Sequence, residues 1–409
     1  MDDILKRFLK YVAIDTTSND ESKTIPSFAG ERDLADLLKT ELCEMGVEDA
    51  EVTENCFVFA TVPATKGYEN KKTIGLLAHL DTAPDCIGKN VQPRIHTKYA
   101  GQILELEDNV VIDPQCYPEL EQYLGDDIVT SDGRTLLGCD DKAGIAIIMD
   151  VVHSLVTHPE LKHGKIRIAF TPDEEVSIGG ASVFDVKKFG ADYGITVDGD
   201  GIGEFNYETF YAFSYDVELE GNNIHPAEAK GKMINACTLA AEFDRLLPQD
   251  MRPENTEGRE GFIHLYEVNA QVESAKMGYI LRDFEIDGLE NKKLLFQKAA
   301  ETIEKRYGKG RVKLTGIHEY SNPKAEIEKH PELIETCLKA YRNCGVKPII
   351  KPIRGGTDGS TLADKKLACV NIFLGGHNYH NCREFVSVQA MKKSADILLQ
   401  IVTCSETQE

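Results

Sequence analysis

The sequence predicts an α/β protein with a mixed, largely parallel sheet and an inserted ferredoxin-like α+β domain. In the first half of the chain, short apolar runs alternate with helical segments. The block from 209 to 320 instead follows the order β-α-β-β-α-β, which is typical of ferredoxin-like domains. The α/β pattern then resumes. We therefore expect one domain formed by residues 1–208 and 321–409, and a second domain, inserted in the first and formed by residues 209–320.

The elements of the first domain follow from the spacing of apolar residues. Residues 2–13 and 31–45 have helical spacing, and Gly46 is a suitable helix stop. Several other runs are apolar on both faces, as expected for strands buried in a parallel sheet. The predicted strands occupy residues 57–62, 74–80, 165–171, 193–197 and 368–374, and further helices are expected before Leu155 and over 331–344.

The inserted domain has a different pattern of apolar residues. The run YAFSYDVELEG alternates apolar and polar residues, as does a strand with one buried face. Residues 321–326 (SNPKAE) are predicted to form the hinge that leads back to the first domain. The remaining elements are predicted to be a helix at 231–246, strands at 261–272 and 276–286, a helix at 289–307 and a strand at 311–319.

Composition excludes several classes of partner. The 409 residues include 46 basic and 68 acidic ones, and the net charge of −22 argues against nucleic acid or an anionic membrane. No run approaches the ~18 uncharged apolar residues that a membrane helix needs, and the N-terminus lacks the apolar core of a signal peptide. Eleven scattered cysteines without CxxC pairs indicate a reduced, cytoplasmic location.

Side chains that can bind metal follow several of the predicted strands. In open α/β sheets, ligands bind beyond the carboxyl ends of the strands, so we expect these side chains to converge. Their nitrogen and oxygen donors suit a hydrolytic site that holds two cations. The candidates are His79 and Asp81, Asp140 in a loop before a helix, the pair Glu174 and Glu175, Asp198, and His380.

The spacing of these residues suggests different tasks. Residues two apart on an extended chain point the same way, so Asp81 can orient His79. Neighbouring Glu174 and Glu175 diverge, so one can bind metal while the other serves as general base. The two oxygens of Asp140 can bridge two cations, although an aspartate there could also cap a helix.

Two nearby residues leave alternatives open. His377 could compete with His380 as a ligand, or it could cap a turn. Cys139 adjoins Asp140, but we expect it to be a small packed residue rather than a soft ligand. Rival machineries are missing, since the sequence has no GxSxG elbow, no Gly-rich loop ending in GK[ST] and no HExxH.

Eight sequence blocks, spread over nearly the whole chain, carry a resemblance to a known family. The blocks are HLDTAPD (79–85), TLLGCDDKAG (135–144), AFTPDEEV (169–176), TVDGDGIGE (196–204), GNNIHP (221–226), YILRDF (279–284), KPIRGGTDG (351–359) and NYHNCREFV (378–386). In these blocks and in their order the chain resembles the M20 metallopeptidases, and Cys139 departs from the family pattern, which commonly has a smaller residue there. The resemblance implies that residues 1–208 and 321–409 form the catalytic domain and that residues 209–320 form a lid domain.

The resemblance implies a site for two zinc ions, with cobalt or manganese as alternatives. It makes Glu174 the general base that activates a metal-bridging water, and Asp81 the residue that orients a ligand. It also implies a cis peptide bond after Asp140. The implied ligands are His79 and Asp198 for one ion, Glu175 and His380 for the other, and Asp140 as the bridge.

The implied function is an aminopeptidase that releases the N-terminal residue from tripeptides. The resemblance implies that His225 stabilises the oxyanion, and that Asn235, Arg282 and Arg354 bind the polar ends of the substrate. Either arginine could instead form a structural ion pair. Homodimers occur among such relatives, so a homodimer is compatible with the sequence.

Two other functions remain open from the sequence. A carboxypeptidase or deacylase of the same architecture would use the same catalytic core. A non-catalytic metal-binding scaffold is disfavoured because every position expected of the site is filled.

Overall fold

The computed structural model describes residues 3–176 and 179–403. The chain divides into two compact units, and each is described by itself. The first comprises the chain up to Tyr207, Pro323–Lys351 and the chain from Thr357 onward, and the second comprises Glu208–Asn322 with Pro352–Gly356.

The six predicted helices are present, with ends that differ by a few residues, and the described residues form four further helices. In chain order, the α-helices of the described residues are α1 (Asp3–Val12), α2 (Gly30–Glu44), α3 (Cys139–Thr157), α4 (Val186–Phe189), α5 (Ala236–Leu246), α6 (Ile286–Tyr307), α7 (Lys324–Ile327), α8 (Pro331–Asn343), α9 (Asp358–Asp364) and α10 (Val388–Thr403). The four helices that were not predicted are α4, α7, α9 and α10.

The strands include both the predicted ones and several shorter ones. In chain order they are β1 (Glu51–Val52), β2 (Val58–Val62), β3 (Ile74–His79), β4 (Arg94–His96), β5 (Leu104–Glu105), β6 (Val111–Ile112), β7 (Ile128–Thr130), β8 (Ile166–Thr171), β9 (Tyr193–Gly199), β10 (Glu204–Asn206), β11 (Tyr211–Glu220), β12 (Phe262–Ala270), β13 (Ser274–Asp283), β14 (Val312–Tyr320), β15 (Ile349–Ile350), β16 (Cys369–Phe373), β17 (Gly376–His377) and β18 (Phe385–Ser387).

The largest sheet of the first unit is mixed, with a parallel centre. Its order is β1-β2-β8-β3-β9-β16-β10-β15. Strands β8, β3, β9 and β16 are parallel neighbours, whereas β2 pairs antiparallel with β8 and β10 antiparallel with β16. Every residue of β3 and β16 is buried, as expected where apolar side chains cover both faces of a parallel sheet.

Helices cover this sheet and explain the burial. Helix α3 contacts β3 and β9, and it packs against α1 and α10. A second apolar cluster contains Phe59, Leu77, Phe189 and Leu362, and it includes a T-shaped contact between Phe184 and Phe189. Packing of these helices against the sheet therefore positions the strand ends.

Two small sheets escape prediction from the sequence. One has the order β17-β18-β7-β4, and the other pairs β5 with β6. Their strands are two or three residues long, too short to show a period of two in the sequence. Strand β17 of the first small sheet ends at His377, three residues before the predicted ligand His380.

The second unit is an antiparallel sheet of order β12-β13-β11-β14 with α5 and α6 packed on it. The chain order β11-α5-β12-β13-α6-β14 is that of a ferredoxin-like domain. Its core includes Tyr215, Phe243, Tyr279 and Phe296, whose rings contact one another. The predicted fold class, a mixed α/β sheet with an inserted ferredoxin-like unit, is confirmed.

Among the described residues, no α-helix combines the length and the apolar character that crossing a bilayer requires.

Candidate active site

Seven side chains predicted from the sequence converge in the first unit. Four sequence segments bring them to the carboxyl ends of the central parallel strands or beside them: the ends of β3, β8 and β9, and the turn after β17. A fifth segment is the start of α3, which packs against β3 and β9. The residues are His79, Asp81, Asp140, Glu174, Glu175, Asp198 and His380.

Asp81 performs two tasks at the end of β3. Its main-chain oxygen lies 3.0 Å from His79 Nδ1, and its Oδ1 lies 3.3 Å from the same nitrogen. Its carboxylate also accepts the backbone N–H groups of Glu174 at 2.9 Å and Glu175 at 3.0 Å. These contacts orient the imidazole so that Nε2 faces Asp140 and Asp198, and they anchor the loop after β8 to β3.

Asp140 lies between the two histidines. Its Oδ1 is 2.8 Å from His79 Nε2, and its Oδ2 is 3.4 Å from His380 Nε2. Asp198 Oδ1 lies 3.7 Å from the same His79 nitrogen. One carboxylate therefore presents a different oxygen to each histidine, which is the arrangement that a bridge between two cations needs.

Glu175 completes the second half of the site. Its Oε2 is 3.0 Å from His380 Nε2, while its Oε1 is buried and makes no hydrogen bond with the described residues. A buried carboxylate oxygen without a partner is costly unless something else contacts it. A cation at this position would satisfy it.

Asp141 shapes the start of α3. Its Oδ2 accepts the backbone N–H of His79 at 3.1 Å, and its Oδ1 accepts that of Gly144 at 3.1 Å. A Cβ at Gly144 would lie 2.1 Å from the main-chain oxygen of Val197, so only glycine lets α3 approach β9 this closely. The peptide bond between Asp140 and Asp141 is cis, as the resemblance implied.

Glu174 lies beside the candidate ligands, and its carboxylate has no partner among the described residues. Its backbone is held by Asp81, but its side chain makes no hydrogen bond or ion pair with any residue that the structure describes. Burial raises the pKa of Glu174 well above its usual value, His79 opposes the rise, and the charges of Asp198 and Glu175 add to it. A carboxylate with a raised pKa is a better proton acceptor than an exposed one, which suits a general base.

The other carboxylates and histidines strongly perturb one another. Burial raises the pKa of Glu175 to about 8 and that of Asp198 to about 7. Hydrogen bonds with Asp140 and Glu175 raise the pKa of His380 to about 11. Burial lowers the pKa of His79, but hydrogen bonds with the surrounding aspartates outweigh burial and raise it well above its usual value. Without cations, this cluster therefore retains protons at neutral pH.

The donor set fits divalent cations. His79, Asp140 and Glu175 offer ligand atoms that all lie within 4.8 Å of one another, as do His79, Asp141 and Asp198. Imidazole nitrogens and carboxylate oxygens suit zinc, cobalt or manganese. Together with the unpartnered oxygen of Glu175, this grouping supports a metal centre.

Metal binding is expected to release protons and to strengthen as pH rises. The ligands bind cations only when deprotonated. At pH 7 the metal-free protein keeps a proton on His380, whose pKa is about 11, and on much of Glu175, whose pKa is about 8. Apparent affinity should therefore rise between pH 6 and pH 9, roughly tenfold per pH unit for each proton displaced.

Calorimetric titration of the metal-free protein with zinc, in buffers of different ionisation enthalpy, measures the protons released. A dependence of the observed heat on the buffer is expected at pH 7.5. Identical heats in all buffers, together with an affinity that does not change with pH, would contradict the protonation states described above.

The two alternatives left open near the site have different outcomes. His377 instead pairs with Tyr123: its Nε2 lies 2.8 Å from the Tyr123 hydroxyl, and burial lowers the pKa of His377 to about 4. Cys139 is fully buried, and its thiol contacts the main-chain oxygen of Phe385 at 3.7 Å. The structure thus brings His380, and not His377, to the cluster. Cys139 is a small packed residue, as expected.

The four predicted substrate residues belong to the second unit, and each has a local partner. The exposed His225 accepts the N–H of Ala227 at 3.3 Å, and Asn235 caps α5. Arg282 pairs with Glu319 at 2.7 Å. Arg354 donates to the main-chain oxygens of Gly258 and Glu260 and lies over the ring of Phe210. Their substrate roles stay predictions.

Sequence reasoning missed two acidic residues around the site. Asp85 Oδ2 lies 3.4 Å from His380 Nδ1, the ring nitrogen that faces away from Glu175. Glu384 is buried and accepts backbone N–H groups in the segment that leads to Asp140. Both belong to blocks quoted for the resemblance, but a single acidic residue in a polar stretch carries no periodic signal.

Comparison with known proteins agrees with this geometry. The model of peptidase family M20/M25/M40 matches residues 125–403. Peptidase T of Listeria welshimeri is 46% identical over 410 residues, covering 100% of both chains. Peptidase T of Alkaliphilus oremlandii is 45% identical over 405 residues, covering 98% of this chain and 99% of its own.

Solved structures share the fold. Aminopeptidase PepT from Bacillus cereus superposes with a TM-score of 0.78 at 21% identity, covering 98% of each chain. A dinuclear metal-binding peptidase of family M20 from Bacillus subtilis has a TM-score of 0.65 at 14% identity, also covering 98% of each chain.

These relatives confirm the enzyme class predicted from the sequence. The full-length match to proteins named Peptidase T makes the chain a hydrolase of peptide bonds, of the aminopeptidase class. The predicted metal binding agrees with the ligand clusters at the strand ends. The chain belongs to peptidase family M20/M25/M40.

Proposed function

We propose that this enzyme holds two zinc ions and releases the N-terminal residue from tripeptides. One observation supports this most strongly: the two oxygens of Asp140 face His79 at 2.8 Å and His380 at 3.4 Å. Under this proposal His79 and Asp198 would hold one ion, Glu175 and His380 would hold the other, and Asp140 would contribute to both.

The proposed chemistry is hydrolysis assisted by a general base. When bound, the two ions would acidify an attacking water and polarise the scissile carbonyl. Glu174 would accept the proton of that water on its carboxylate and return it to the leaving amine. Asp81 would keep Glu174 in place through its backbone N–H while orienting His79 through Nδ1.

The proposed substrate roles come from the resemblance. His225 would stabilise the tetrahedral oxyanion, and Asn235, Arg282 and Arg354 would bind the polar ends of the peptide. The ferredoxin-like unit, which carries all four, would act as the lid. Support for His225, Arg282 and Arg354 comes from their positions in blocks shared with the family.

A peptide-length series tests the substrate class. The free tripeptide is expected to be hydrolysed much faster than a dipeptide or tetrapeptide of the same residues, because the proposed site recognises both ends of a three-residue chain. Its N-acetylated form should be cleaved at least about tenfold more slowly, since the free amine would be lost as a binding group. Release of the N-terminal amino acid is measured.

Chelation supplies the matched control for this series. A chelator is expected to abolish hydrolysis of the tripeptide, and added zinc, cobalt or manganese should restore it to different extents, which ranks the metals. Equal hydrolysis of the acetylated tripeptide would instead indicate a deacylase or carboxypeptidase of the same family. Activity that persists after complete metal removal would contradict the proposed two-ion site.

A cytoplasmic location is part of this proposal. The cysteines of the described residues are all free, which suits a reducing compartment. A homodimer also stays a prediction, and light scattering of the purified enzyme measures its mass directly.

A further inference from the structure

Glu384 is a buried carboxylate that the mechanism above does not use. It lies four residues after His380 and is 1% exposed. Both of its oxygens accept hydrogen bonds from consecutive backbone N–H groups across the chain. The donors to Oε2 are Leu137 at 2.7 Å and Gly138 at 2.8 Å, and the donors to Oε1 are Cys139 at 2.7 Å and Asp140 at 3.2 Å.

These contacts fix the segment that ends in the proposed bridging ligand. Gly138 has a φ of 80°, and Asp140 has non-helical dihedral angles although it lies in the first turn of α3. Helical hydrogen bonding therefore does not hold this stretch in place. The carboxylate of Glu384 does so instead, by collecting four N–H groups that would otherwise be buried without partners.

The contacts also join two ligand segments that are far apart in sequence. His380 and Glu384 lie in one loop, and Asp140 lies 244 residues before Glu384. Because the Glu384 side chain accepts hydrogen bonds from the backbone of the Asp140 segment, the distance between His380 and Asp140 depends on Glu384.

We propose that Glu384 is a positioning residue that sets Asp140 between the two metal ions. This inference rests on the proposed two-ion site. Glu384 touches neither substrate nor metal in this role. It acts through the backbone of residues 137–140, which determines where the Asp140 oxygens lie relative to His79 and His380.

The charge and both oxygens of Glu384 are needed for this task. A glutamine has one oxygen and one NH2 group, so it would turn a donor toward two of the four N–H groups. The Glu384→Gln variant keeps the size of the side chain but should move the segment. An aspartate keeps both oxygens and the charge but withdraws them by one methylene.

The test measures metal affinity rather than activity. The metal-free wild-type enzyme and Glu384→Gln are titrated with cobalt(II) against a competing chelator, and the visible spectrum of the bound cobalt is recorded. We expect two equivalents to bind to the wild type. In Glu384→Gln, the affinity for at least one of them should fall by about 10- to 100-fold, as is usual when a group that orients a ligand is lost, and the spectrum should change.

Two control variants separate positioning from general damage. Asp192→Asn makes the same carboxylate-to-amide change at a residue that accepts the backbone N–H of Thr73 at 2.7 Å. Ser394→Ala removes a buried hydrogen bond to the main-chain oxygen of Phe373. Neither residue contacts the ligands in the described structure, so both variants should bind two ions as the wild type does, even where thermal stability falls.

The possible outcomes test the two-ion site and the positioning role of Glu384 separately. A wild type that binds fewer than two ions would overturn the two-ion site itself. If the wild type binds two ions and folded Glu384→Gln binds both with unchanged affinity and spectrum, only the positioning role is wrong. If Glu384→Gln does not fold, Glu384→Asp takes its place, and an unchanged affinity there would equally overturn the role.

Discussion

The Glu174→Gln variant is expected to bind both metal ions with wild-type affinity and to hydrolyse tripeptides about 10²- to 10⁴-fold more slowly. This loss corresponds to about 3–5 kcal/mol of transition-state stabilisation. It should appear in kcat, with little change in KM, because the carboxylate acts on the proton of the water rather than on the bound peptide.

The structure supports this expectation through what Glu174 contacts. Its backbone N–H is fixed by Asp81 at 2.9 Å, whereas its carboxylate makes no hydrogen bond or ion pair within the described parts of the chain. Burial raises the pKa of Glu174, so this carboxylate holds a proton well, and cations bound beside it would lower that pKa again. A neutral amide at this position keeps the shape but cannot accept a proton.

The neighbouring residue provides a matched control. Glu175→Gln makes the same change one position along the chain, at a side chain that lies 3.0 Å from His380 Nε2. It should weaken metal binding as well as turnover, and added metal should partly restore its activity. If Glu174→Gln hydrolyses tripeptides at nearly the wild-type rate, or if added metal rescues it, Glu174 is not the base.

The Asp140→Asn variant is expected to lose both metal ions, with each affinity reduced by about 100-fold or more, and to retain only background hydrolysis. The reason is that its two oxygens face different histidines, Oδ1 toward His79 and Oδ2 toward His380. An amide offers one oxygen, and its NH2 group cannot coordinate a cation. Losing a ligand should cost at least as much as losing a group that orients one.

Asp198→Asn separates a bridge from an ordinary ligand. Asp198 approaches His79 at 3.7 Å, and no ion pair with His380 is recorded for it in the described structure. Its amide variant should therefore weaken one ion and largely spare the other. Metal content by elemental analysis, measured alongside tripeptide hydrolysis, checks both variants. A single lost ion in Asp140→Asn would mean that this carboxylate does not bridge.

Much of the site could be predicted because its signals are local. Each signal lies within a few positions of the chain. These signals are the end of a buried strand, two residues separated by one position on that strand, and a pair of adjacent glutamates. That is why the approach of Asp81 to His79 and the placement of Glu174 beside Glu175 could be expected before the fold was known. The fold class followed for the same reason, from alternation and from runs buried on both faces.

Contacts between distant segments could not be predicted in this way. The sequence left His377 and His380 as competitors, and only the fold decided between them, by pairing His377 with Tyr123 254 positions away. The hydrogen bond from the Cys139 N–H to Glu384 joins residues 245 positions apart, and no local sequence pattern predicts it. The small sheet that holds this turn is built from strands of two or three residues, whose pairing is set by their neighbours.

By itself, then, the sequence determined the fold class and the residues available for chemistry, because apolar periodicity and ligand type are properties of short segments. The enzyme class followed from the resemblance of the sequence to a known family. The tertiary structure decided which oxygen of Asp140 faces which histidine, which histidine joins the cluster and which buried carboxylate holds the loop. Those choices depend on packing between segments far apart in the chain.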